Sequence, residues 1–279
     1  IKLPLYINLS MTNFESFKQS VLLFPGLRRN PEQLPVFINP LKADLTNSEE
    51  LVGIFSQDFD VVIATLTPGA RTEEAYQKAY VDTATALVSS INNAKYQPKI
   101  VIWISSTSVY GDSSNQWLEE ESPVNPASFS ARALKKAEDI MTAVSCDLTI
   151  VRFSGIYGPG RLALLNSVKN GIGSPAQPKQ WSNRIHSDDC AGFLVHLVNR
   201  YLKGQKLEKL YLGTDCEPAA QHDMRKWLAG KLFYFLSYKS QIQHYQDLLL
   251  PYHLTFQIRI YLNAFHTFLF LNKFQQFHT

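Results

Sequence analysis

Three short apolar runs rich in β-branched residues stand out in the middle of the chain: Asp60–Leu66 (DVVIATL), Lys99–Ser105 (KIVIWIS) and Asp147–Phe153 (DLTIVRF). They are apolar at successive positions rather than alternate ones, as strands covered on both faces require. The stretches between them carry helical patterns. Thr46–Phe55 has Thr46 as a cap, Glu49 three residues on as in a capping box, and Leu51, Ile54 and Phe55 as an apolar stripe. Glu73–Asn93 places Ala79, Ala86, Leu87 and Ile91 on one side, and Ala131–Val144 repeats the pattern. Upstream, LPLYINL reads as a strand, NFESFKQS as a helix, and Val36–Ile38 with Pro40–Lys42 as a short strand ending at Asp44. Strands separated by helices predict right-handed crossovers in an α/β fold, a doubly wound parallel sheet.

The ends are patterned differently. Residues 1–35 have no glycine before Gly26. Residues 231–279 hold 13 aromatics and four histidines, no glycine and no glutamate, with no clean helical or strand period. Within that tail a helix over Ile258–Phe270 would gather Ile258, Tyr261, Leu262, Phe265, Phe268 and Leu269 on one face. The organisation expected is residues 1–155 as the core with an atypical start over 1–25, residues 156–230 as a smaller following segment, and residues 231–279 as an appendage. The first residue is Ile1 rather than methionine, which fits a fragment or a processed product.

At 279 residues the chain can bury a sizeable core, and 45% hydrophobic with 18% charged residues excludes a disordered or collagen-like chain. The net charge of +3 is too weak to argue for nucleic acid or an anionic membrane. No run reaches the ~18 apolar residues of a membrane span. Cys146, Cys190 and Cys216 are odd in number and widely spaced, which argues against a disulfide framework and a metal site and for a reducing, cytoplasmic setting.

Candidate chemistry gathers where strands end. Ile104–Asp112 (ISSTSVYGD) sets Ser105, Ser106 and Thr107 at the end of a parallel strand, the edge at which open α/β sheets bind ligands. A Ser/Thr-rich turn is the plain alternative. Arg152–Arg161 (RFSGIYGPGR) follows the next strand, and Asn183–Asp189 (NRIHSDD) opens an apolar helix through Ala191–Val198.

In this order the three segments resemble the extended short-chain dehydrogenase/reductase family, the NAD(P)-dependent epimerases and dehydratases, over about residues 26–230. The likeness extends to an atypical, YeeZ-like branch in which GLRR and NRIH segments also occur. The resemblance implies a Rossmann-type core, residues 156–230 as a small C-terminal substrate region, a nicotinamide cofactor lying across the strand ends, and a small sugar-like or other polar substrate. It places Gly26-Leu27-Arg28-Arg29 just after the second strand, Ser20–Phe24, where the adenosine ribose is read. Arginines there suit the 2′-phosphate of NADP rather than NAD, though Arg28 and Arg29 read equally as solvated surface charge. Asp44 matches the position that bonds the adenine edge, or else caps the next helix. Ser105 and Tyr157 fall on the cofactor side. Ser106, Thr107 and Tyr110 are the catalytic candidates, with Tyr110 alternatively a packed anchor. Arg184 and His186 could hold a substrate phosphate or carboxylate, and His186 could instead brace the helix beginning near Ser187–Asp189. Asp188 and Asp189 read as helix-dipole partners and Gly158-Pro159-Gly160 as a structural turn.

The chain departs from the family's pattern twice. The glycine-rich loop after the first strand is missing, since Ile7–Asn13 (INLSMTN) takes its place; cofactor binding is expected to be weakened. The Tyr and Lys that typical reductases carry four residues apart on one helix are replaced by Ser130 and Leu134 when aligned on Glu138, so a phenolate base is absent there. The YeeZ-like branch also lacks that pair. Alongside an NAD(P)-binding epimerase, dehydratase or reductase, two other readings stand: a non-catalytic Rossmann sensor or scaffold, and a defective product with wrong-frame ends. A homodimer is left open.

Overall fold

The computed structural model describes residues 3–7, 25–34, 38–112 and 115–232. Its centre is a parallel sheet of seven strands: β1 (Leu3–Ile7), β2 (Pro25–Arg28), β3 (Asn39–Lys42), β4 (Phe59–Ala64), β5 (Ile100–Ser106) and β6 (Asp147–Phe153), with β10 (Leu210–Gly213) at one edge. The order across the sheet is β10-β6-β5-β4-β1-β2-β3, and every neighbouring pair is parallel. Chain order reverses beside β1, which makes the carboxyl edge there the switch point of a doubly wound fold. The three apolar runs are adjacent in the middle as β4, β5 and β6, and β6 has the predicted bounds.

Strand alternation sends side chains to two cores. Val62, Ala64, Val101 and Trp103 face one layer, built from α1 (Ser48–Ile54), α3 (Thr83–Asn92) and α4 (Phe129–Met141) through Leu51, Leu87, Ile91, Ala137 and Met141. Val61, Ile63, Ile102, Val151 and Phe153 face the other, where α6 (Ser187–Leu202) contributes Cys190, Leu194, Leu197 and Val198. On these central strands nearly every residue is buried, which is why the runs are continuous rather than alternating.

Several boundaries differ from the sequence reading. Ser20–Phe24 and NFESFKQS lie outside the described residues, as do Val36 and Phe37 and the tail beyond 232, including Ile258–Phe270. The second strand is described over Pro25–Arg28, so Gly26, Leu27 and Arg28 lie in the strand rather than after it. Strand β2 takes glycine at this position because a Cβ on Gly26 would come within 2.6 Å of Ile38 and 2.9 Å of Leu34. The third strand starts at Asn39. Helix α1 is capped by Asn47 and not Thr46: Asn47 Oδ1 accepts from the backbone N–H groups of Glu49 (3.1 Å) and Glu50 (3.4 Å). The predicted helix 73–93 is α2 (Glu73–Tyr76) and α3 joined by a π-helical segment, Gln77–Asp82. The extra residue per turn rotates the stripe, leaving Ala79 half-buried while Ala86, Leu87 and Ile91 are buried.

The chain divides into two compact units. One is Ile1–Ile156 with Asn183–Pro218; the other is Tyr157–Ser182 with the chain from Ala219 onward. The first also contains the paired strands β7 (Gly155–Tyr157, whose last residue opens the second unit) and β9 (Arg184–His186). The second contains α5 (Ala163–Lys169), the antiparallel pair β8 (Trp181–Ser182) and β11 (Ala219–Ala220), and a helix over 221–232. Arg225 joins these pieces, donating to Ser167 Oγ (2.7 Å) and to the Ile172 carbonyl (3.1 Å). Among the described residues no helix is long and apolar enough to cross a membrane.

Candidate active site

The carboxyl end of β5 runs directly into a single 3₁₀ turn, Thr107–Tyr110. Ser106 caps it, its Oγ accepting from the Ser108 N–H at 3.2 Å. Ser106 and Thr107 are half-buried side by side at the strand end. Ser105 is buried, and its hydroxyl has no hydrogen-bond partner among the described residues. Strand pairing sets Ser105 beside Arg152 and Ser106 beside Phe153. Ser105, Ser106 and Thr107 are consecutive at the carboxyl end of the strand, with Ser105 and Ser106 on opposite faces of the sheet. An unsatisfied hydroxyl is costly when buried, so this strand end is a candidate for receiving a polar ligand.

Tyr110 belongs to the core. Its residue is 2% exposed, its ring packs with Val109 and Leu134, and its hydroxyl donates to the Glu120 carbonyl at 3.2 Å. Burial raises its pKa, with Arg152 opposing. The geometry is that of the packed anchor rather than of a solvent-facing acid or base. Leu134 occupies the same cluster, and Ser130 Oγ lies 2.9 Å from Ser128 Oγ at the start of α4, so neither stands in for a Tyr/Lys pair.

Beneath the turn lies a feature that the sequence reading missed. Arg152 on β6 and Glu138 on α4 form a buried bidentate pair, Nε–Oε1 3.0 Å and Nη2–Oε2 2.7 Å. The guanidinium carbon sits 4.8 Å from the centre of the Tyr110 ring. Burial works against the charge on Arg152, but the Glu138 carboxylate more than offsets it and the pKa is raised. In the sequence both residues served only as markers, Arg152 opening one segment and Glu138 fixing an alignment; 14 residues separate them.

At the other side of the sheet, Arg28 ends β2 and Arg29 follows it, half-buried and exposed respectively. Asp44 follows β3 and takes up the helix-entry role: its Oδ1 accepts from the Thr46 N–H (3.0 Å) and hydroxyl (2.9 Å). The Thr46 N–H holds its carboxyl below the usual range, against a smaller opposing effect of burial. Arg184 lies on β9. His186 caps α6, its Nδ1 accepting from the Asp188 N–H at 3.2 Å. Tyr157 closes β7, half-buried. Arg28, Arg29 and Asp44 thus lie at or just past the carboxyl ends of neighbouring strands on one side of β1, and the Ser105–Thr107 group lies at the carboxyl end of β5 on the other. Among the described residues no group of three or more His, Cys, Asp or Glu is placed to hold a metal ion, and Cys146, Cys190 and Cys216 form no disulfide.

A model of the NAD dependent epimerase/dehydratase family matches residues 25–213. The chain belongs to that family. Solved structures agree with the family fold. A Methylobacillus flagellatus protein whose name places it among NAD-dependent epimerase/dehydratases is 28% identical, with a TM-score of 0.67 over 91% of this chain and 85% of that one. At 18% identity, the UDP-glucuronic acid 4-epimerase of Bacillus cereus, held with NAD, shares the fold at TM-score 0.65 over 81% and 82% of the two chains. The dTDP-glucose 4,6-dehydratase DesIV of Streptomyces venezuelae, also with NAD bound, does so at 15% identity and TM-score 0.63 over 82% and 81%. No functionally curated protein matches the sequence.

For the family's dinucleotide the described residues of this epimerase/dehydratase chain fit the adenosine end. Two arginines lie at the carboxyl end of β2, and an ionised Asp44 follows β3. The buried, unpartnered Ser105 hydroxyl lies at the end of β5. The segment 8–24, where a pyrophosphate loop is expected, has no glycine in its sequence.

Proposed function

We propose that this epimerase/dehydratase-family chain binds NADP(H) in preference to NAD(H), weakly, and acts on a small sugar-like substrate, a nucleotide sugar being the first class to test. The observation that carries the reading is the placement of Arg28 and Arg29 and of Ser105–Thr107 at the carboxyl ends of strands on either side of β1. Arg28 and Arg29 hold the 2′-phosphate by charge-assisted hydrogen bonds. Asp44 faces the adenine edge, and Ser105 and Tyr157 belong to the cofactor side. When bound, the nicotinamide supplies a hydride acceptor or donor. Ser106 and Thr107 bond a substrate hydroxyl or carbonyl and fix its orientation, while Arg184 and His186 take an anionic part of the substrate. Residues 156–230 form the substrate-side segment, and the setting is the cytoplasm. With Ser130 and Leu134 at the Tyr/Lys positions, dehydrogenation through a phenolate base is absent or slower by about 10²–10⁴-fold.

Titration calorimetry with NADP⁺ and NAD⁺ tests the cofactor assignment. The unmutated chain binds NADP⁺ more tightly, and Arg28→Ala with Arg29→Ala narrows the gap. Equal affinities before mutation would overturn it. Turnover of UDP-glucuronate, UDP-galactose and dTDP-glucose tests the substrate class, with Ser106→Ala and Thr107→Val expected to lower kcat.

A further inference from the structure

We propose that Arg152 is a positioning residue, acting through Tyr110 to hold the Thr107–Tyr110 turn and with it the Ser106 and Thr107 hydroxyls. The proposal rests on the hydroxyl assignment above.

The turn is fixed at several points. Asn125 N–H donates to the Val109 carbonyl at 3.1 Å, and the Tyr110 hydroxyl reaches Glu120. Glu120 Oε1 in turn accepts from the Leu212 N–H of β10 at 3.0 Å. These bonds hold the outer side. On the sheet side the Tyr110 ring rests on the Arg152 guanidinium, which the Glu138 fork holds in one plane. Arg152 is also the strand partner of Ser105, one residue before the candidate hydroxyls.

Stability alone is a poor reason for such a pair. Taking two charges out of water costs about as much as their attraction returns, and apolar residues of similar volume often do as well. An aliphatic pair would fill the layer between α4 and β6 but would offer Tyr110 no planar, fixed cation. What the ion pair adds is geometry, and it does so directly under the turn that ends in the candidate site. Lysine would keep the charge and lose the fork.

The experiment compares the unmutated chain with Glu138→Leu/Arg152→Met, which removes both charges together, and with Arg152→Lys. Thermal melting selects the folded variants. Amide exchange over 104–112, read by mass spectrometry, reports the turn. Turnover of UDP-glucuronate with NADP⁺ separates kcat from KM. In a folded variant, exchange over the turn rises about tenfold while the rest of the sheet is unchanged. The same variant loses about 10²-fold in kcat with KM nearly constant, the effect of hydroxyls displaced by about an ångström. A folded variant with unchanged exchange over 104–112 overturns the proposal, and so does one with loosened exchange but full kcat. If the double variant does not fold, Arg152→Lys decides by the same criteria. An unmutated chain that turns over no nucleotide sugar counts against the proposed function, and the exchange measurement then decides the positioning role alone.

Discussion

Replacing Gly111 by alanine measures how tightly the candidate turn is clamped. Gly111 has φ +72° and ψ −144°, a region that residues with a side chain avoid. A Cβ there would lie 2.1 Å from the Asn125 carbonyl oxygen, a backbone atom that no rotamer change can move aside. Holding alanine in this conformation costs about 1–3 kcal/mol. Shifting Asn125 breaks its N–H bond to Val109, worth a further ~0.5–1.5 kcal/mol. A suitable control is Gly204 in the same unit, just past α6: φ is +78° but nothing lies within 4 Å of its Cβ, so Gly204→Ala carries only the strain, about 1–2 kcal/mol. Urea unfolding followed by far-UV circular dichroism gives both values. Gly111→Ala is expected to lower the midpoint more, by the equivalent of at least about 1 kcal/mol at unchanged slope. Equal midpoints for the two variants would refute the clamp, because strain alone would then account for Gly111.

Other outcomes follow from the same structure. Gly213→Ala is expected to destabilise by about 1–3 kcal/mol in urea unfolding, because its Cβ would meet the Phe153 ring at 2.3 Å; a neutral result would show that the ring can step aside. Asp44 has its pKa lowered below 3.8, so its stabilising contribution is complete above that value and is lost as pH falls through the folded pKa. The difference in melting temperature between the unmutated chain and Asp44→Ala should therefore hold steady down to about pH 5 and shrink on further acidification towards about pH 2, and a constant difference would contradict the Thr46 contacts. Burial pushes the Cys146 thiol up to about 11 and Cys190 is fully enclosed, so iodoacetamide near neutral pH should label the exposed Cys216 first. Peptide mapping that found Cys146 labelled as fast would contradict its burial.

The central strands were legible because burial on both faces leaves little choice of residue, and Asp147–Phe153 shows this in its bounds. Where two neighbouring residues share a chemistry, the sequence could not choose between them. Thr46 and Asn47 both suit a cap, and the choice falls to Asn47 because the Thr46 hydroxyl is turned to Asp44. Gly26 is expected just past a strand, yet Pro25-Gly26 opens one, and the crowding by Ile38 and Leu34 that accounts for the glycine comes from residues further along the chain. The π-helical segment leaves no mark on residue type. At the candidate site the Ser105–Thr107 hydroxyls were visible as a run, whereas the Arg152–Glu138 pair was not. A contact between a strand and a helix is set by packing, and a single sequence carries no record of which charges meet.

The outer strand of the sheet also bears on how the molecule meets copies of itself. Among the described residues β3 is the last strand on its side. Ala43 N–H points inward to the Arg28 carbonyl, so alternation turns positions 40 and 42 outward. One of these is Pro40, which has no N–H to give, and the other is Lys42, which carries a charge. A further strand arriving at this border would find half its donors missing and would have to accommodate a lysine. Lys42→Val alone would remove the charge but leave the gap, whereas Pro40→Val would complete the row and open the border to strand-by-strand growth.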